Sequence, residues 1–457
     1  MKLKDLFNEI ILDLIKSNNE DFDFKNNFGG MQTSVNGQTL IYSKKAASLI
    51  NSFSKVMYEN FGKKNKVDYQ KFHMIVNQEI ANSITSDDFK IENVEEVRKA
   101  VQGKVEENFK NLEEIKIIHH FPASTLNFNF REPIILGNVH IQNIEQWLNK
   151  VSYSKDIIEW YNKASKNSDW KQEVKECLKN NLHVDQISNL AQSVFYTIQN
   201  SNSIVTVEIN GYEPQLSKKF AKQICKAALD MISLAMADQR VFYNNILQLE
   251  RLPSLKYGDF SEKNGYLDLP SSGLSKAFLP ELDVSQYEHI ERLISGVIEP
   301  FSFIINGMLN PESVTCPNLV SKWYFALNWY AEGMRESNDA ISVAKLASCL
   351  DTLSSNGRYG GITDLLCNVY DCNEDYILFE SHTDRPITIS MFVRKFYDEG
   401  RSRILHGTIK NMLESFEIDR NRLATVARWA LVELANRLYV YRGDDAERAF
   451  RSMKYDS

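Results

Sequence analysis

The chain has 457 residues, of which 43% are hydrophobic and 25% charged, with 10 Pro and 19 Gly, a globular composition that excludes long disorder. Its formal charge of −7 excludes a protein that coats nucleic acid by bulk electrostatics, because that mode rests on neutralising phosphates with Lys and Arg. The length exceeds one ordinary core and predicts roughly two to three domains.

The N-terminus opens basic, but Asp5 and Glu9 interrupt what a signal peptide would need as an apolar region. It reads instead as an amphipathic helix with Leu3, Leu6, Phe7, Ile10 and Leu14 on one face. No apolar run approaches the ~18 residues of a membrane span, so no membrane is expected, and the scattered cysteines give the expectation of a cytoplasmic location. The six cysteines form no C-x-x-C pair and read as reduced core thiols; Cys367-x4-Cys372 reads as two ordinary ones. Residues 1–111 are expected to be mostly helical. A polar connection over 18–37 is followed by helical patterns at 46–61, 69–84 and 94–112, with Asp87-Asp88 as punctuation before the last.

Residues 112–309 change character to a mixed α/β region. Short β-favouring runs at 115–118, 126–130, 134–136 and 139–141 suggest a small sheet. Helical stretches over 144–199, a strand over 203–209 and a long helix over 216–246 follow. A turn-rich, strand-like segment at 249–279 is punctuated by Gly258, Gly265 and Gly273. His119, His120 and His140 form the one histidine cluster. Neighbours on a strand face opposite sides, so His119 and His120 do not readily share a metal ion, and no metal is assigned.

Asn310-Pro311 and Cys316-Pro317 bracket a linker, after which residues 310–457 read as a helical bundle. Val320, Trp323, Tyr324, Leu327, Tyr330, Ala331 and Met334 form the first stripe, and 340–354 a second helix. Pro386 is placed as the first residue of another, with Ile389, Phe392, Val393, Phe396 and Tyr397 inward. A last long helix carries Leu423, Val426, Ala427, Ala430, Leu434, Leu438 and Tyr441. The fold class is therefore multidomain α+β.

Between the last two helices lies Gly400-Arg401-Ser402-Arg403-Ile404-Leu405-His406-Gly407. Two guanidiniums and an imidazole in six residues suit phosphate gripping and proton transfer. Arg401 and His406 are five apart, about 140° around an ideal helix, while Arg403 and His406, three apart, share a face. Convergence of Arg401 then needs Gly400 to let the helix begin late, or a second copy of the motif across a two-fold axis. From 391 to 442 ten Lys/Arg stand against six Asp/Glu, a local +4 that can attract RNA. No phosphate loop, H-E-x-x-H or dinucleotide fingerprint is present, so nothing supports an ATP-driven or zinc hydrolase.

Arg, four residues, His, with a polar residue after the Arg and Gly after the His, inside a C-terminal bundle, resembles the HEPN ribonuclease superfamily. The string Phe396-Tyr397-Asp398-Glu399-Gly400 before it, and Ala347-Ser348-Cys349-Leu350-Asp351-Thr352-Leu353 upstream, are similar to its ApeA-like branch, over residues 318–445. That branch commonly has Glu where Asp351 stands.

The resemblance implies cofactor-free, metal-independent RNA cleavage at a homodimer interface, leaving a 2′,3′-cyclic phosphate. Arg401, His406 and Asp351 would be catalytic, with Asp351 holding Arg401 or the His406 tautomer. Arg403 would grip RNA phosphate, and Ser402 would orient a partner or cap a helix. It further implies anti-phage abortive infection, with tRNA as substrate by analogy and the first 300 residues restraining the nuclease until a phage-derived trigger appears. The alternative is a catalytically inactive bundle used for interaction or nucleotide binding. A third reading puts a different enzyme in the α/β middle.

Overall fold

The computed structural model describes the chain apart from residues 1, 19–26, 36–37, 87–88, 90, 129–130, 163–168, 237, 239, 251–255, 260–261, 264–265, 268–270, 275–281, 283, 356, 381–385, 409–410, 412–413 and 456–457. It is a mixed α+β protein in two compact units. One comprises Met1–Ile118 with Glu208–Ala221, the other His119–Val207 with Lys222–Ser457, so the expected division at 309/310 falls inside a unit.

The first unit contains α1 (Leu3–Ser17), β1 (Phe28–Val35), β2 (Gln38–Ser43), α2 (Lys44–Asn60), α3 (Tyr69–Ile84) and α4 (Val94–Asn108). Leu6, Phe7, Ile10 and Leu14 are buried, as the α1 stripe requires, against Phe53, Phe72 and Val101 of the later helices. Ser43 caps α2 by accepting from the Ala46 N–H, and Asp68 caps α3 by accepting from Gln70. The stretch read as a polar connection contains β1, antiparallel to β2 with Gln32 opposite Ile41. Gly29 lies in the strand, where a Cβ would meet the Ser43 carbonyl oxygen at 2.7 Å. Asp87-Asp88 lies outside the described residues.

Strands β3 (Lys116–Ser124), β4 (Ile134–Leu136), β5 (Val139–Asn143), β6 (Ser203–Asn210) and β7 (Ile246–Leu247) form a five-stranded sheet ordered β4-β5-β6-β3-β7, which belongs to the second unit except for residues 116–118 of β3 and 208–210 of β6. Val139, Ile141, Val205 and Val207 are buried at alternate positions on β5 and β6. Helices α5 (Ile144–Lys150), α6 (Lys155–Asn162), α7 (Trp170–Leu178) and α8 (Asn189–Ile198) fall between β5 and β6. Leu148, Trp170, Val174 and Val194 close a core onto Ile204. The expected strand at 126–130 is not one: Leu126 and Phe128 are buried in irregular chain, Asn127 takes φ 61°, and 129–130 lie outside the described residues.

The long helix, α9 (Pro214–Met236), stops ten residues before its expected end; a short α10 (Val241–Asn244) and β7 occupy the remainder. Two small hairpins follow, β8 (Lys256–Asp259) with β11 (Ser271–Leu274), and β9 (Glu262–Lys263) with β10 (Tyr266–Leu267). Gly258 and Gly273 lie within paired strands rather than at turns, and Gly265 lies outside the described residues.

The helical part begins before the expected linker, with α11 (Val284–Ser295) and α12 (Ile298–Leu309). It continues through α13 (Pro317–Met334), α14 (Asp339–Leu353), α15 (Arg358–Tyr370), β12 (Ile377–Phe379), β13 (Ile387–Thr388), α16 (Ile389–Arg394) and α17 (Glu417–Val440). Trp323 of α13 is fully buried and donates its indole N–H to the Leu431 carbonyl at 2.9 Å. Buried Arg420 donates to the Glu336 carbonyl at 2.7 Å and pairs with Asp339, joining the end of α13 to the start of α14. Arg428 of α17 does the same for the carbonyls of Leu234 and Ala235 at the end of α9.

Pro386 does not start a helix. Ile387 and Thr388 pair with β12, and the Thr388 hydroxyl caps α16 by accepting from Met391. Among the described residues no single helix is long and apolar enough to cross a membrane; Gln286–Ser295 and Ile298–Leu309 reach that length only jointly, bent by 56°.

Candidate active site

Asp351 sits in the last turn of α14, on a face lined by Ala344 and Ala347, and is 93% buried. The small side chains let another helix come close. That helix starts at Ile389 and runs on from α16 through an eight-residue π-helical stretch, Lys395–Ser402, into a last α-turn, Arg403–Leu405. Gly400 is therefore in mid-helix and does not delay a helix start. A Cβ on it would lie 3.2 Å from Val343 Cγ1 of α14, so its lack of a side chain is what lets the two backbones approach.

In a π-helix, i→i+5 bonding brings residues five apart onto a common face. Phe396 and Arg401 are such a pair. Phe396 is buried against Phe392, ring centroids 4.9 Å apart, and Arg401 projects to Asp351, with Nη2 3.3 Å from Oδ2. The contact is an ion pair without a well-directed hydrogen bond. Among the described residues, Asp351 Oδ1 and Arg401 Nε are buried and have no hydrogen-bond partner. Tyr397, four residues before Arg401, sets its ring 5.6 Å from the guanidinium carbon. Burial pushes the Asp351 carboxyl above the usual carboxylate value, and the Arg401 charge offsets this only in part.

His406 ends the helix. Its N–H donates to the Ser402 carbonyl at 3.0 Å, an α-type bond, so the wide turn stops short of it. Gly407 follows at φ +65°, and the Thr408 N–H returns to the Arg403 carbonyl at 2.9 Å. The imidazole is exposed, with no side-chain partner among the described residues. Arg401 and His406 thus diverge within one chain, inward and outward, and Asp351 meets the former.

The Arg403 fork pairs with Glu414, Nη1–Oε1 3.2 Å and Nη2–Oε2 2.9 Å, both side chains one-third exposed. Ser402 lies within the helix and makes no side-chain cap bond, because the helix continues through it. Tyr397 is expected only as an inward-facing position of its helix, and Glu414 carries no expected role. The i,i+4 spacing of Tyr397 to Arg401 was a readable signal, whereas Glu414 lies beyond the helix end, with no periodicity to mark it.

The histidine cluster divides between sheet faces. His119 stacks on Phe121, 6.2 Å between centroids. His120 Nδ1 accepts the Trp147 indole N–H at 3.2 Å and lies 3.0 Å from Thr206 Oγ1, while His140 stands opposite Thr206 in the β5–β6 register. Since indole can only donate, Nδ1 must be unprotonated and Nε2 carries the hydrogen. Burial holds both His120 and His140 below the ordinary imidazole value. Among the described residues, no three His, Cys, Asp or Glu side chains group as metal ligands.

Neither a family model, a curated protein nor a solved structure matches the chain.

Proposed function

We propose that the chain is a metal-independent endoribonuclease of the HEPN type, acting in anti-phage abortive infection, with tRNA as a substrate. The observation that carries this reading is the Arg401–Asp351 ion pair, which joins the two segments the resemblance had singled out independently. In RNA the neighbouring 2′-OH attacks the phosphorus and a 5′-oxygen leaves. The reaction needs a proton acceptor, a proton donor and a cation against the phosphorane charge. Exposed His406 serves proton transfer, and Arg401, oriented by Asp351 through Nη2, offers its remaining donors to the phosphorane. Because the two side chains diverge in one chain, the site is completed by a second copy, Arg401 from one and His406 from the other. The first 300 residues restrain this activity until a phage-derived trigger binds.

The test uses full-length protein and total tRNA in excess EDTA, with fragment ends mapped. Wild type yields 2′,3′-cyclic phosphate ends, and His406→Ala and Arg401→Ala do not. Loss of cutting in EDTA would sink the metal-free mechanism, and a monomeric mass by light scattering would sink the composite site.

One observation favours the inactive-bundle alternative: both arginines of the motif are already engaged by carboxylates, Arg401 by Asp351 and Arg403 by Glu414. Wild type that binds RNA or nucleotide, dimerises and never cuts would select that reading.

A further inference from the structure

We propose that Cys367 and Cys372 are a paired dithiol that closes to an intramolecular disulfide by exchange with a low-molecular-weight disulfide and reopens with excess thiol. The geometry comes from how α15 ends. Asp371 takes the left-handed conformation, φ 49° and ψ 49°. The Asp371 N–H donates to the Asn368 carbonyl at 3.3 Å and the Cys372 N–H to the Cys367 carbonyl at 3.0 Å. These are the 5→2 and 6→1 bonds of a Schellman motif, whose first and sixth side chains characteristically meet over the reversed chain. Here both are cysteines. A disulfide needs Cα atoms about 4.4–6.8 Å apart, and the Cys372 N–H to Cys367 carbonyl bond holds the two backbones together directly.

Access and electrostatics separate this pair from the other thiols. Cys177, Cys225, Cys316 and Cys349 are buried, whereas Cys367 and Cys372 are each part-exposed. Burial raises both thiols. Each has an acidic neighbour that raises it further, Glu374 and Asp364 beside Cys367 and Asp371 beside Cys372, and Cys372 itself also raises Cys367. Thiolates held at such a cost form a disulfide slowly near neutrality and favour it at equilibrium.

The position gives the bond a structural consequence. Just beyond Cys372, the carbonyls of Glu374 and Tyr376 accept the Ser390 and Ile389 N–H groups at 3.1 and 3.0 Å. These are the first donors of the helix that ends in Arg401 and His406. Closing residues 367–372 into a ring therefore tethers the seat of that helix to the end of α15.

The exchange balances as follows. One cysteine thiolate attacks a sulfur of glutathione disulfide and expels a glutathione thiolate, which takes up the proton released. The second cysteine attacks the protein sulfur of that mixed disulfide, and the second glutathione leaves. Two protein thiols are oxidised and one glutathione disulfide is reduced.

Full-length protein is equilibrated in glutathione buffers of increasing oxidised fraction, acid-quenched, denatured, alkylated and digested with trypsin. Peptide 359–394 contains both cysteines and no other. It should lose the mass of two hydrogens and escape alkylation while the four buried cysteines remain alkylatable. Below the thiol pKa, closure should quicken about tenfold per pH unit. In Cys367→Ser or Cys372→Ser the surviving thiol should instead end as a glutathione adduct. Double alkylation of the wild-type peptide in fully oxidised buffer, or a glutathione adduct as its end product, overturns the proposal.

Discussion

Arg401 Nη2 lies 3.3 Å from Asp351 Oδ2, yet the other carboxylate oxygen and the guanidinium Nε are both buried without partners among the described residues. The pair is monodentate where a fork was available. A bidentate contact, with both oxygens facing Nε and Nη2, would satisfy both orphans. Asp351→Glu adds one methylene of reach and should raise the thermal midpoint by about 1–3 °C, while Asp351→Ala strands a partly buried guanidinium and should cost about 1–2 kcal/mol. Thermal melts of the two variants beside wild type check this; an Asp351→Glu melt below that of Asp351→Ala would refute the short-reach account.

The raised Asp351 carboxyl makes a pH prediction opposite in sign to that of a typical salt-bridged aspartate. With its folded value above the ordinary 3.8, the folded protein binds this proton more tightly than the unfolded chain. The contribution is complete below 3.8 and fades as pH rises through the folded value. Wild type should therefore gain on Asp351→Asn as pH is lowered from about 7 towards 4.5, followed by urea unfolding. Asp68 behaves inversely, because its hydrogen bond from Lys219 lowers it, and its contribution fades as pH falls.

Arg403 and Glu414 should behave as a structural pair. Each side chain is one-third exposed, so solvent screening limits the coupling to about 0.5–1 kcal/mol in a double-mutant cycle. Arg403→Ala should leave RNA binding unchanged in salt dependence. A fall in the slope of log K against log salt would instead return Arg403 to the phosphate.

Gly400 and Val343 should be coupled through space. A Cβ at Gly400 meets Val343 Cγ1 at 3.2 Å, and Val343 is fully buried. Gly400→Ala alone should be destabilising by about 1 kcal/mol despite the better helix propensity of Ala. In a Val343→Ala background the same change should turn neutral or stabilising. Additive effects in the two backgrounds would mean the helices do not touch there.

Arg437 tests how the end of α15 is held. It is 4% exposed and donates to the carbonyls of Asn368, Val369 and Met453 while pairing with Glu433 at 2.7 Å. Arg437→Leu takes a buried donor from each of them and its cation from Glu433, leaving Asn368 O only the Asp371 N–H and Met453 O only the Asn368 amide, and should cost roughly 3–5 kcal/mol, seen as a large fall in the urea midpoint.

Local sequence determined most of the helices. The stripes of α1, α13 and α17 recur at helical spacing, and nearly every residue in them is buried, because burying one face is what makes such a segment a helix at all. Where backbone contacts override the pattern, local reading ends. Helix α15 was missed although Ile362, Leu365, Leu366 and Val369 form a buried stripe, because Gly360-Gly361 opens it like a turn. A Cβ at Gly361 would meet the Arg451 guanidinium carbon at 2.7 Å, a contact from ninety residues away. Strand β1 was hidden in the same way, Gly29 serving the approach of the Ser43 carbonyl. At the candidate site, the sequence located Arg401, His406 and Asp351, but ideal helical spacing could not predict the π-helical widening or which partner Asp351 takes. They depend on the close approach of Gly400 to Val343 of α14, a contact between elements that no local periodicity encodes.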